Sequence, residues 1–306
     1  MEPPMILEIP SDLEGERLDK AIAEMLGVSR AAAKQLIEIG VTVDGEPSKA
    51  NRRMSVGEQV VTPPPPQAVA LEPEDLDLTV LFEDDDVVVI NKMPGMVVHP
   101  GAGQTRGTLA AGLLHAYPGL EGVGSQGRWG LVHRLDKGTS GALLVARTEE
   151  SFQRLTQALR AREIKREYVA LVEGVLRPPT GTIDAPIGRD PVQPTRRAVT
   201  PDGKHARTHY QVRSNNESAN VALVDVQLET GRTHQIRVHF AAIGHPVVGD
   251  RVYGSGSTTV SSPRMFLHAG KLTFSHPGTG EEIAVSAPLP DDLQAVVDDL
   301  PEVVEE

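Results

Sequence analysis

The sequence predicts an α+β protein: a small N-terminal domain that combines a helix pair with short strands, followed by a large mixed, mainly antiparallel β-sheet flanked by helices. Three observations support this prediction. The chain has 306 residues, about twice the usual size of one domain. Four consecutive prolines occupy 63–66. Beyond them, apolar patterns typical of strands outnumber helical ones, and they do not alternate with helices as in a parallel β-α-β sheet.

The N-terminal segment 1–62 predicts two helices and a strand pair. Apolar residues recur at helical spacing over 18–26 and again over 33–37, and Ser29 is the expected N-cap of the second helix. An Asp-Gly turn at 44–45, with apolar residues on both sides, indicates two short strands. These elements are sufficient to enclose a small core.

The proline run sets the predicted domain boundary, because consecutive prolines favour a stiff polyproline II spacer and cannot continue a helix or a central strand. We therefore expect a linker at 63–74 and a second domain at 75–306, with the acid-rich segment 281–306 as a C-terminal tail. The elements predicted within the second domain are strands at 87–90, 143–146, 168–172, 208–212 and 221–228, and helices at 108–117, 149–162 and 233–243.

The charge of the chain is unevenly distributed. The formal net charge is −12, but 71–90 contains eight acids and no base, and 281–306 contains nine acids and no base. The rest of the chain carries a net charge of +5, and 128–213 alone carries +7. An anionic partner such as RNA is therefore allowed, although a solvated surface with uneven charge explains the same pattern.

The composition excludes several classes of protein. No cysteine is present, which rules out a disulfide framework, a thiolate metal site and a cysteine nucleophile, and favours a reducing compartment. The N-terminus has no basic and apolar segments of a signal peptide, and no apolar run approaches 18 residues. We expect a cytoplasmic protein that does not bind a membrane.

Patterns that would indicate a cofactor or a metal lack their structural context. GVGSQG at 122–127 has the glycine spacing of a dinucleotide site, but no apolar strand precedes it and no helix opens after it. Ser140 lies in GTSG and not in the G-x-S-x-G turn of hydrolases. His234 and His239 have no nearby acid-histidine cluster. The sequence predicts no nucleotide cofactor and no metal site.

The segment HRLDKGTSG at 133–141 is the strongest indication of chemistry. It places Asp136 between Arg134 and Lys137, and small residues then lead into the strand at 143–146. Neighbouring cations favour the charged form of a carboxyl group, so the pattern suggests an acid held ionised at the end of a strand. On local chemistry alone, a surface turn with balanced charges remains the alternative.

The wider motif HRLDKGTSGALLVAR resembles the central motif of the RluA-type family of pseudouridine synthases. Three later segments resemble that family in the same order: REYVALVEG, TGRTHQIRVHFAAIGHPVVGDRVYG and MFLHAGKLTFSHPGTGE. The resemblance covers about 75–295, with Arg166 at a position where the family more often has lysine. Residues 15–62 resemble the S4 RNA-binding domain, so the whole chain is most similar to the ribosomal large subunit pseudouridine synthase D group.

The resemblance implies a role for five residues of the second domain. It makes Asp136 the catalytic acid, Tyr168 the ring that packs against the target base, and Arg237 the ion-pair partner of Asp136. It also places Arg134 at the position that the uridine vacates in the RNA, and Leu267 in the apolar wall of the pocket. Isomerisation of uridine involves no redox change, so no cofactor is expected. Asp136 acts either as a nucleophile toward the ribose or as a base.

The resemblance also implies a partner. Arg30 and Lys34 belong to the basic face with which S4 domains bind RNA, and the expected substrate is structured RNA, with large-subunit ribosomal RNA or a ribosomal assembly intermediate favoured. Two alternatives stay open at this point. One is a non-catalytic RNA-binding or ribosome-assembly protein that retains the fold, and the other is a protein-interaction module that uses the acidic segment 281–306.

Overall fold

The computed structural model describes residues 3–28, 30–64, 71–101, 104–124, 128–256 and 260–301. The predicted N-cap Ser29, part of the predicted linker, Gly127 of the glycine pattern and the last five residues lie outside these ranges. The chain forms two compact units, Met1–Ala70 and Leu71–Glu306. No helix in the described part of the chain is both long and apolar enough to cross a membrane.

The N-terminal unit packs two helices against a four-stranded antiparallel sheet with the strand order β1-β4-β2-β3. Its core contains Leu18, Ile22, Leu36 and Val60, all fully enclosed. The predicted helix pair is present. The elements of this unit are β1 (Met5–Glu8), α1 (Leu18–Met25), α2 (Arg30–Gly40), β2 (Thr42–Val43), β3 (Glu46–Pro47) and β4 (Gln59–Thr62).

The second unit is built on a nine-stranded sheet. The order of its elements along the chain is β5 (Thr79–Glu83), β6 (Val87–Lys92), α3 (Leu109–Ala116), β7 (Ser140–Ala146), α4 (Glu149–Ala161), β8 (Lys165–Glu173), β9 (Thr180–Asp184), β10 (Ile187–Arg189), β11 (Arg197–Val199), β12 (Arg207–Asn216), β13 (Val221–Leu228), α5 (Gln235–Ala242), β14 (Leu267–Ser275), β15 (Glu282–Ser286) and α6 (Asp291–Asp298). The sheet order is β5-β6-β7-β14-β8-β13-β12-β9, with β15 paired to β14, while β10 and β11 form a separate hairpin.

Among the described strand pairs of this sheet, β7 and β14 are parallel and the others are antiparallel. The predicted fold class, a mixed and mainly antiparallel sheet with flanking helices, is thereby confirmed. The backbones of β7 and β14 approach closely at Gly141: a Cβ at this position would lie 2.3 Å from the carbonyl oxygen of Ala269. Gly141 also has a φ of +112°, which disfavours any side chain. The contact holds the segment before β7 beside the start of β14.

The described part of the acid-rich C-terminal segment, 281–301, is folded and does not form the tail that its composition suggested. Residues 282–286 form β15, and α6 buries Leu293 and Val296 against the sheet. Acids in the first turn of α6 interact favourably with the positive end of the helix dipole. The prediction of a tail was wrong because it rested on the acid content alone. Leu293 and Val296 are also at helical spacing, and their burial stabilises α6.

Candidate active site

Asp136 lies in a turn immediately before the central strand β7. The Thr139 amide donates to the Asp136 carbonyl at 3.1 Å, and the Gly95 amide donates to the Lys137 carbonyl at 2.7 Å. The Lys92 side chain also binds this turn: its Nζ donates to the carbonyls of Met93 at 2.8 Å and of Lys137 at 3.5 Å. The turn that carries Asp136 is therefore anchored on both sides by backbone and side-chain hydrogen bonds.

Lys92 is buried almost completely, with 1% of its surface exposed. Burial lowers its pKa to about 7, and the negative charge of Asp136 partly opposes that shift. The neighbouring carbonyls satisfy the ammonium hydrogen atoms, as a buried lysine requires. Lys92 was not predicted as a site residue, because a lysine at the end of an apolar strand resembles an ordinary surface residue.

Arg237 joins Asp136 to a second carboxylate. Its Nη1 lies 3.1 Å from Asp136 Oδ2, whereas its Nε and Nη2 lie 2.7 and 2.9 Å from the two oxygens of Asp250. Asp250 in turn accepts hydrogen bonds from the backbone amides of Val252 and Tyr253. Asp250 binds two nitrogens of the guanidinium, Nε and Nη2. The third nitrogen, Nη1, is therefore held toward Asp136 in a single orientation.

The Arg237–Asp250 pair is charged in the folded protein. Burial acts to raise the pKa of Asp250, but the hydrogen bonds and charge of Arg237 hold it below the usual value. Burial acts to lower the pKa of Arg237, and the contacts with Asp250 and Asp136 raise it above the usual value. Arg237 was predicted from the sequence, whereas Asp250, whose side chain is entirely buried, was not.

Asp136 opens into a cavity of about 540 Å³ that Tyr168 and Leu267 also line. Tyr168 lies on β8 and Leu267 at the start of the neighbouring strand β14, and each exposes 5% or less of its surface. Burial raises the pKa of the Tyr168 hydroxyl, so the ring stays neutral at physiological pH. The cavity thus combines a carboxylate with an aromatic ring and an apolar wall.

The cavity also has a basic side formed by Arg134, Arg128 and His99. Arg134 and Arg128 are exposed, and within the described residues neither forms an ion pair. Burial and the charges of Arg128 and Arg134 lower the pKa of His99 to about 4, and burial with the charge of Arg134 lowers the pKa of Arg128. Unneutralised cations at the side of a cavity favour an anionic ligand.

Arg30 and Lys34 lie in the N-terminal unit, where both approach the buried carboxylate of Asp19. Arg30 Nη2 is 3.0 Å and Lys34 Nζ is 3.8 Å from Asp19 Oδ2. Burial acts to raise the pKa of Asp19, but hydrogen bonds from Arg17 and Arg30 lower it below the usual value. Both cationic side chains remain more than half exposed, so the ion pair orients them without removing them from the surface.

Five of the seven residues selected from the sequence meet at one cavity: Asp136, Tyr168, Arg237, Arg134 and Leu267. Across the described residues, no cluster of histidine and acidic side chains has the arrangement of a metal site. At this cavity the Asp136 carboxylate is fixed against the Arg237 cation, with an aromatic ring and further cations around it.

Comparison with known proteins identifies the family of the chain that carries this site. The family model described as RNA pseudouridylate synthase matches residues 86–242, which include Asp136, Tyr168 and Arg237. The chain belongs to this family. It is therefore an RNA pseudouridine synthase, an isomerase that acts on RNA, as the resemblance of its motifs predicted.

Relatives match over almost the whole chain. A ribosomal large subunit pseudouridine synthase D from Nitrosomonas europaea is 43% identical over 95% of this chain and 86% of its own length. An uncharacterized RNA pseudouridine synthase from Bacillus subtilis is 43% identical over 94% of this chain and 95% of its own length. The solved structure of human RNA pseudouridylate synthase domain containing 1 is 29% identical, with a TM-score of 0.59 over 76% of this chain and 89% of its own.

Proposed function

We propose that this synthase isomerises specific uridines of large-subunit ribosomal RNA, and that Asp136 is its catalytic acid. The observation that carries the proposal is the Asp136–Arg237 ion pair, 3.1 Å long, at a cavity that Tyr168 also lines. A carboxylate that a fixed cation holds in one orientation, in a partly enclosed site, is available to the ribose. The alternative of a non-catalytic RNA-binding protein gains no support from the relatives.

Isomerisation needs the N-glycosidic bond to break and C5 of uracil to bond to C1′ of the ribose. The Asp136 carboxylate serves this reaction in one of two ways, by attacking C1′ or by accepting the proton from C2′. Tyr168 packs against the uracil while it is detached, and stacking of a base on an aromatic ring contributes about 1–3 kcal/mol. Leu267 closes the cavity wall, and neither route requires a cofactor.

The cations beside the cavity and the names of the relatives support the proposed substrate. Arg128 and Arg134 offer positive charge to phosphates beside the cavity, and three relatives at 42–43% identity are named ribosomal large subunit pseudouridine synthase D. The N-terminal unit, with Arg30 and Lys34 exposed, is proposed as an S4-like RNA-binding domain. We place the reaction in the cytoplasm, on ribosomal RNA or an assembly intermediate of the large subunit.

Purified protein and transcribed RNA test the proposed substrate. Pseudouridine formation is measured on large-subunit ribosomal RNA, with small-subunit ribosomal RNA and a transfer RNA mixture as matched controls. We expect site-specific modification of the large-subunit transcript alone. Modification confined to transfer RNA would contradict the proposed substrate while leaving the isomerase activity intact.

Arg134 is expected to act on base extrusion. A stacked uridine must leave its helix before its glycosidic bond is accessible, and Arg134 is proposed to occupy the vacated place. Arg134→Ala should therefore slow the reaction on a folded stem-loop by the cost of unstacking, a few kcal/mol or roughly 30-fold or more in rate. Single-turnover rates on the stem-loop and on an unstructured oligonucleotide of the same local sequence provide the comparison. Equal losses on both RNAs would assign Arg134 to a phosphate or to Asp136 instead.

The N-terminal unit is expected to capture RNA and not to shape the active site. Each unit has its own hydrophobic core, so a protein that begins at Leu71 should fold. Its dissociation constant for ribosomal RNA should rise at least tenfold, because the proposed basic face is removed, while its rate at saturating RNA should stay within about threefold of the full chain. A collapse of the saturated rate in a folded truncated protein would reject this division of roles.

A further inference from the structure

Arg166 is a buried cation with no carboxylate partner among the described residues. Only 6% of its surface is exposed, and its Nε is enclosed with no hydrogen-bond acceptor. In the described part of the chain, no carboxylate forms an ion pair with it. An uncompensated charge in the protein interior is strongly unfavourable. Packing within the protein therefore does not explain an arginine at this position. An anionic or carbonyl-bearing ligand in the cavity would explain it.

The position of Arg166 puts its guanidinium beside the place proposed for the target base. It lies two residues before Tyr168 on β8, so both side chains leave the same face of the strand, and both line the cavity with Asp136. Gly231 covers the other side. A Cβ at Gly231 would lie 2.6 Å from Arg166 Nη1, so the glycine leaves the space that the guanidinium occupies.

We propose that Arg166 binds the carbonyl oxygens of the target uracil and stabilises the negative charge that the base acquires when it leaves the ribose. The inference rests on the proposed function. It applies equally to both routes for Asp136, because the charge on the base is the same in each.

The chemistry explains why a fixed cation is suited to this role. When the C1′–N1 bond breaks, its electron pair stays on the base, and the charge is shared by N1, O2 and O4. Rotation of the ring about its N3–C6 axis exchanges N1 with C5 and O2 with O4. A donor held in one place therefore meets a carbonyl oxygen before and after the rotation, as preorganised donors to a developing anion must.

The step balances without any co-reactant. Asp136 either bonds to C1′ or takes the C2′ proton as the base departs. C5 then bonds to C1′ with an electron pair of the uracil anion, and Asp136 is released or returns its proton to C2′. The proton on C5 is lost and N1 takes one up, so that uracil is neutral again. The charge that Arg166 stabilises exists only between the two bond changes.

Arg166→Met tests this inference, with Arg166→Lys as the conservative variant. Arg177→Met is the control for the loss of one positive charge, since Arg177 forms an exposed ion pair with Glu217 outside the cavity lining. Single-turnover rate at saturating RNA, RNA dissociation constant with its salt dependence, and urea unfolding are measured for each. We expect Arg166→Met to lose about 10²–10³-fold in rate, with Arg166→Lys intermediate and Arg177→Met unchanged.

The other two measurements distinguish a catalytic role from a structural one. Arg166→Met should keep its RNA affinity and unfold at the same or a higher urea concentration, because a buried charge is removed. Gly231→Ala should lower the rate while keeping the charge, because it displaces the guanidinium. An unchanged saturated rate for Arg166→Met, weaker RNA binding with a smaller salt dependence, or a rate loss matched by lost stability would each overturn the inference. A wild-type protein inactive on ribosomal RNA would instead count against the proposed substrate.

Discussion

Asp136→Asn is expected to abolish pseudouridine formation while leaving the fold and RNA binding intact. The amide is nearly isosteric with the carboxylate and can still accept the hydrogen bond that Arg237 Nη1 donates at 3.1 Å. It cannot attack the ribose or accept a proton from it, so both routes are lost. We expect the rate to fall by at least about 100-fold, the lower end for loss of an acid–base group. The measurement is single-turnover pseudouridine formation at saturating RNA.

The control for this variant is its RNA affinity together with its urea unfolding curve. Both should match those of the wild type, since Asp136 is proposed to act on the ribose and the anchored turn around it does not depend on its charge. Pseudouridine formation by Asp136→Asn above a few per cent of the wild-type rate would remove the central catalytic assignment.

Arg237→Met is expected to cause a large loss of activity. Arg237 Nη1 lies 3.1 Å from Asp136 Oδ2, while Asp250 fixes the guanidinium through Nε and Nη2. Without the guanidinium the Asp136 carboxylate loses its fixed orientation, and a small misplacement of a reacting group costs about 100-fold in rate. The measurement is single-turnover pseudouridine formation at saturating RNA.

Arg237→Lys separates charge from positioning. Lysine keeps a positive point charge but loses the fork that binds Asp250 with two nitrogens, so it should recover only part of the rate. Because Arg237→Met leaves the carboxylate of Asp250 buried without its cation, we expect it to lose roughly 3–5 kcal/mol of stability, and the rates are measured at a temperature where it is folded. A folded Arg237→Met protein that keeps the wild-type rate would reject the role of Arg237 in positioning Asp136.

Most of the secondary structure that surrounds the site is predictable from local patterns. The apolar strand that became β7 and the helix that became α4 have strong periodicity and clear ends: Thr148 caps α4 with its side chain, and Arg162 ends it in the left-handed conformation. The short hairpin of β10 and β11 was not predicted, because three-residue strands carry too little alternation to stand out from a loop.

Some site residues were likewise predictable from the sequence, and others were not. Asp136, Arg134 and Tyr168 lie in motifs that are contiguous in the chain, so a resemblance selects them directly. Asp250 acquires its importance only when folding brings it against Arg237, 13 residues away along the chain. The unusual feature of Arg166 is the absence of a partner among the described residues, and a sequence cannot reveal which charges remain unpaired after folding.

Mapping of pseudouridines in large-subunit ribosomal RNA is the most direct test of the central claim. RNA is taken from cells that lack this protein and from the same cells supplied with the wild type or with Asp136→Asn. We predict that a small set of pseudouridines disappears without the protein, returns with the wild type and does not return with the variant. An identical pseudouridine map in all three strains, or restoration by Asp136→Asn, would contradict the account.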